Sequence, residues 1–71
     1  MSISAAQCRA ARGLVDMGQA TLAEKASVSR SVIVTFENGH TQPNRNNLTA
    51  IQRALEDAGV EFLNDGVRLK S

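Results

Sequence analysis

The sequence predicts an all-α fold, a compact bundle of four short helices, with a C-terminal β-hairpin appended. Three observations carry that prediction. Apolar residues recur at the i, i+3, i+7 spacing of an α-helix as far as Ala58. Met17-Gly18, Asn38-Gly39 and Gly59 interrupt the pattern where helices would end. Beyond Gly59 the period changes to two, which is the signature of strands.

The elements follow in order. Ser4 and Gln7 stand at capping-box spacing, and Ile3 is placed to staple onto Cys8. Cys8, Ala11 and Val15 then mark a first helix running to about Asp16. A second, shorter helix spans Gln19 to about Ala26 with Leu22, Ala23 and Ala26 inward, and Ser27-Val28 is a turn. Ser29 caps a third helix, with Val28 and Ile33 at the staple positions and Ile33 and Phe36 as its buried stripe. Asn38-Gly39 ends it, because glycine takes the left-handed conformation without steric cost. The segment from His40 to Arg45 holds the one proline and reads as a loop. Asn46 is placed to cap a fourth helix in which Leu48, Ile51 and Leu55 recur, with Ala54 and Ala58 beside them, and Gly59 stops it. In the tail, Asp65-Gly66 favours a type I′ turn that would set Phe62 opposite Leu69 and Glu61 opposite Lys70. A two-stranded hairpin is marginal in water, so its apolar side must meet the helices or another chain.

Composition narrows the function. Seventy-one residues make one domain with an economical core, and 42% of the chain is hydrophobic, mostly aliphatic. Its organisation reads as a helical unit over residues 1–59 and a hairpin over 60–71, the latter a candidate dimerisation element through its open strand edge. Phe36 and Phe62 are the only aromatic residues, which argues against stacking single-stranded bases on an aromatic platform. A lone Cys8 cannot form an internal disulfide, and no secretory signal pattern or membrane-spanning run is visible, so a cytoplasmic protein of a bacterial cell or phage-infected host is expected. The net charge is only +1, but residues 1–53 carry six basic residues against three acids, while residues 54–71 are acidic on balance. Any nucleic-acid face belongs to the first part. No catalytic or metal-binding set is present: His40 and Cys8 are single, and the acids are scattered. Cys8 reads as an inert core thiol and His40 as a surface histidine. No enzyme activity, cofactor, membrane association or small-molecule ligand is expected.

The stretch from Gln19 to Gly39 meets the demands of a helix-turn-helix. Its two short helices are joined by a tight turn, and the small Ala23 sits where the second helix must approach the first. Ile33 and Phe36 provide the inner side of the second helix, while Arg30 and Ser31 occupy its exposed first turn.

The residues Gln19-Ala-Thr-Leu22-Ala23, Val28-Ser29-Arg30-Ser31, Ile33 and Phe36-Glu37-Asn38-Gly39 together resemble the lambda repressor/Cro-like family, the XRE-type helix-turn-helix. The resemblance extends from about Cys8 to Gly59. It departs at Ser27, where the family usually has glycine, and at Val32 and Val34, which are apolar for a helix facing DNA. These two valines either fill a packing site at the helix edge, or one of them meets a thymine methyl group.

The resemblance implies sequence-specific binding of double-stranded DNA by a transcriptional regulator, a repressor of phage or bacterial type, with the third helix in the major groove. Arg30, Ser31, Val34 and Thr35 are then the base-reading positions, and Arg30 can pair with guanine through two hydrogen bonds. Gln19, Ser29, Asn38, Arg45 and Asn46 are candidate phosphate contacts, although for Ser29 and Asn46 helix capping is the better reading. Arg12 and Glu37 resemble the family's buried structural ion pair. A homodimer on two half-sites is implied, since one such domain makes few contacts. Two alternatives remain: the antitoxin of a toxin–antitoxin pair, and a protein-interaction module that retains the fold.

Overall fold

The structure, a computed structural model, describes residues 2–70. Four helices, α1 (Ala5–Leu14), α2 (Gln19–Ala26), α3 (Arg30–Glu37) and α4 (Arg45–Asp57), precede two short strands, β1 (Val60–Phe62) and β2 (Val67–Leu69). The all-α bundle with its terminal hairpin is the architecture expected from the periodicity.

Each helix start has a visible cause. Ser4 and Gln7 close a reciprocal capping box at α1. Ser29 accepts from the Val32 N–H at α3, and Asn44 accepts from the Asn47 N–H at α4. The last differs from the expectation that Asn46 caps α4. Asn44 takes that place, with an extended backbone and its side chain on the Asn47 N–H, and Asn46 falls inside the first turn. At α2 the cap is Gly18, which has no side chain to offer the first-turn N–H groups.

The first three helices end alike. After α1, the Met17 N–H reaches Arg12 O at 2.9 Å and Asp16 N–H reaches Gly13 O, with Asp16 left-handed at φ 55. Val28 to Ala23 and Ser27 to Glu24 repeat the arrangement after α2 around Ser27 at φ 57, and His40 to Thr35 and Gly39 to Phe36 repeat it after α3. This double closure satisfies carbonyls that a helix end leaves open. Only the third uses glycine, so α1 stops at Leu14, two residues short of the expected Asp16, because Asp16 is the left-handed residue that reverses the chain.

The core gathers Ile3, Cys8, Ala11, Leu22, Ile33, Phe36, Leu48, Ile51, Leu55 and Val60, all nearly excluded from solvent. Burying one such aliphatic side chain contributes about 1.5–3 kcal/mol, so these side chains dominate the fold. Ala58, expected beside them, is exposed at the end of α4.

Val60 is fully buried, so β1 is seated on the helical core. The hairpin register is Val60↔Leu69, Glu61↔Arg68 and Phe62↔Val67, two residues away from the expected pairing. The turn centres on Asn64 and Asp65 rather than Asp65 and Gly66, with Leu63 N–H bonded to Gly66 O at 2.9 Å. Gln7 explains the choice. Its buried amide donates to Leu63 O at 2.7 Å and to Gly66 O at 3.1 Å, gripping both sides of the loop from α1. A shift of two leaves every side chain on its original face, which is why the alternation was correctly legible while the register was not. Arg68, not Lys70, becomes the partner of Glu61.

Candidate nucleic-acid interface

α3 presents two unlike sides. Ile33, Phe36 and Glu37 face inward, the first two at 0% and 2% exposure. Arg30 and Ser31 are exposed, Val34 and Thr35 are partly exposed, and Asn38 is exposed just past the helix end. Arg30 with Val34, and Ser31 with Thr35, are spaced i, i+4, so the four expected base-reading residues share one outward face. No acidic residue lies in the first turn to oppose an approaching anion.

The hydroxyls on this face are partly engaged. Ser29 Oγ caps the helix and lies 3.1 Å from Ser31 Oγ. Thr35 Oγ1 donates to Ser31 O at 2.8 Å and accepts from Thr41 Oγ1 at 3.1 Å. The two valines separate: Val32 packs against the core, whereas Val34 stands outside that packing.

Around α3 lie the expected phosphate contacts. Arg45 and Asn46 occupy the exposed first turn of α4, on the far side of the loop that begins at Asn38. Gln19 opens α2 beside the uncapped N–H groups, where the helix dipole favours an anion. Its amide Nε2 is also committed inward, donating to Glu37 Oε1 at 3.1 Å.

That contact belongs to a buried cluster that holds the motif together. Arg12 grips Glu37 with two bonds, Nε to Oε2 at 2.7 Å and Nη2 to Oε1 at 2.6 Å. Arg12 Nη1 reaches Met17 O at 3.0 Å, and Cys8 Sγ donates to Glu37 Oε2 at 3.1 Å. Arg9 Nη1 donates to the Glu37 backbone oxygen. Burial alone would raise the Glu37 carboxyl above its ordinary range, but the hydrogen bonds from Arg12, Cys8 and Gln19 outweigh it and hold the group below. The Cys8 thiol is pushed far up by burial, reinforced by its bond to Glu37, so it stays protonated and donates. Arg12 and Glu37 thus form the expected pair.

Sequence reasoning missed the roles of Cys8, Gln19 and Arg9 around Glu37. A signal existed for the first: Cys8 precedes Arg12 by four residues, which puts both on one face of α1. Arg9, three residues before Arg12, carried the same signal, whereas nothing local marked Gln19, whose partner lies at the end of another helix. Among the described residues no group of His, Cys, Asp or Glu is arranged to hold a metal ion, and no helix is long and apolar enough to cross a membrane.

Two short helices held at a tight turn, the second with a buried inner side and an open polar outer side, define the helix-turn-helix class. The helix-turn-helix family model matches residues 9–56, more than half of the chain, and the protein belongs to this family in its lambda repressor-like, XRE-type form. The solution structure of the DNA-binding domain of the P22 C2 repressor is similar, with 32% sequence identity and a TM-score of 0.70 over 79% of this chain and 75% of that one. No curated protein matches in sequence.

Proposed function

We propose that this protein binds double-stranded DNA sequence-specifically and regulates transcription, with α3 entering the major groove and the protein acting as a repressor by occupying its operator. The observation that carries the reading is the division of α3: Ile33 and Phe36 anchor it in the core while Arg30 and Ser31 remain open in its first turn. Family membership and the likeness to a phage repressor's DNA-binding domain support it. In this reading Arg30, Ser31, Val34 and Thr35 meet base edges, while Gln19, Ser29, Asn38, Arg45 and Asn46 meet the backbone. A homodimer would place two α3 helices on half-sites about 34–36 Å apart, one helical turn of DNA.

The test is selection of bound sequences from a random duplex pool, followed by titration of the selected site at several salt concentrations. A palindromic consensus and an affinity that falls steeply with salt are expected. Arg30→Ala should relax preference at one position at a cost of about 1–3 kcal/mol, whereas Arg45→Ala should weaken all sequences alike and flatten the salt dependence. No enrichment in dilute salt would dismiss the reading.

A further inference from the structure

The loop after α3 folds back onto the outward side of that helix and meets it at Thr35. The His40 and Thr41 N–H groups both donate to the Thr35 backbone oxygen, at 3.0 and 3.4 Å. The Thr41 hydroxyl donates to Thr35 Oγ1 at 3.1 Å. Thr35 in turn sends its own proton back into the helix, to Ser31 O at 2.8 Å with a weaker share to Val32 O at 3.4 Å. The donation therefore runs one way, from the loop through Thr35 to the helix backbone.

A hydroxyl has one proton and two lone pairs. At Thr35 the proton is spent and one lone pair is filled, so a single acceptor site is left on a partly exposed side chain. Turning the proton outward would break the bond to Ser31 O and set a lone pair against that carbonyl. Bonds in such a chain also polarise one another, which makes Thr35 a better acceptor. Ser31 is unlike it: either oxygen can donate in its contact with Ser29, so its polarity is not set. Arg30 carries donors only.

The major groove offers two donors, the amino groups at adenine N6 and cytosine N4; guanine O6, thymine O4 and the purine N7 atoms are acceptors. Resting on the DNA-binding reading above, we infer that Thr41 is a positioning residue that fixes Thr35 as a hydrogen-bond acceptor, so that Thr35 reads the exocyclic amino group of an adenine or a cytosine. An acceptor at that place would face a second acceptor and stay unpaired, which is the basis of discrimination.

The experiment uses the selected duplex, with affinity read by fluorescence anisotropy. Each adenine is replaced singly by deoxynebularine and each cytosine by deoxyzebularine, which delete the amino group. Deazapurines lacking N7, and thio-substituted guanine and thymine, remove or weaken the acceptors in the same way. A fall of about fivefold at one amino group is expected, the net value of a single hydrogen bond. It should vanish in Thr35→Val, persist in Thr35→Ser and in Arg30→Ala, and shrink in Thr41→Val. A fall at an acceptor that vanishes in Thr35→Val gives Thr35 the opposite polarity and overturns the inference. So does a Thr35→Val variant with the same analogue profile as the parent, and an amino effect left intact in Thr41→Val removes the role of Thr41. In each of these cases DNA binding stands. Failure to bind any duplex overturns both.

Discussion

Removing the Glu37 carboxylate should nearly unfold this domain. The side chain is 2% exposed and accepts from Arg12 twice, from Cys8 and from Gln19. Glu37→Ala would leave a guanidinium that is only 20% exposed, a thiol and an amide facing a void. Stripping one partner from a buried ion pair costs about 3–5 kcal/mol. A domain of this length has a total stability of about 4–10 kcal/mol, so the variant loses between about a third of it and all of it. Each kcal/mol moves the midpoint of so small a domain by about 4–8 °C, which gives a fall in melting temperature of at least about 12 °C. Thermal and urea denaturation followed by circular dichroism measure this directly. Replacing both partners with apolar residues, Arg12→Met with Glu37→Leu, should recover much of the loss, because no buried charge is then left alone. A melting temperature within about 3 °C of the parent in Glu37→Ala, or a double variant worse than the sum of the singles, would refute the reasoning.

Further outcomes follow from the same structure. Because the folded Glu37 carboxyl lies below its ordinary range, its contribution is complete above the unfolded value of about 4.3 and drains away as pH falls through the lower folded value. Stability from urea titration should therefore drop below about pH 4, and the Arg12→Met/Glu37→Leu variant should drop less. Ser27→Gly should stabilise by about 1 kcal/mol, since Ser27 is held left-handed at φ 57, where a β-carbon is penalised; a lowered melting temperature would contradict this. Gln7→Ala frees the carbonyls of Leu63 and Gly66 and should cost about 1–3 kcal/mol, with amide exchange in the hairpin rising more than in α3. Arg68→Ala, by contrast, breaks only the exposed pair with Glu61 and should leave the melting temperature where it was.

What could be read in the sequence was whatever is decided within one or two helical turns. The capping box at Ser4, the cap at Ser29, the inward stripes of α2, α3 and α4, and the break at Gly39 are local, and they agree with the structure. The errors arose where distant residues decide. Asp65-Gly66 is a better isolated turn than Asn64-Asp65, but Gln7, over fifty residues earlier, bonds to the loop that forms instead. Asn46 and Asn44 are equally good caps in isolation, and it is Asn44 that is extended and accepts from the Asn47 N–H. The outward face of α3 was legible because its opposite side is apolar. The state of its hydroxyls was not, since Thr35 is engaged by Thr41 from the following loop.

Glu37 also bears on how so weakly charged a chain could hold a binding geometry. Its side chain ties α1 through Cys8 and Arg12 to the first residue of α2 through Gln19, and Arg9 fastens its backbone oxygen. Arg12 further pins the α1–α2 connection at Met17 O. At the other end of the motif, α2 and α3 pack together, with the small Ala23 and Ile33 both buried. The angle between the helices is thus restrained twice, by apolar packing near the turn and by a buried carboxylate at the end of α3. A hydrogen-bonded carboxylate admits fewer arrangements than a methyl cluster, so the polar end restricts rotation of α3 about its axis more tightly than the apolar end can. A face fixed in this way loses little freedom when it meets a partner, and less attraction is then needed for the same affinity. On this argument the ion pair is worth more to the orientation of Arg30 and Val34 than to stability, where an apolar replacement would serve as well.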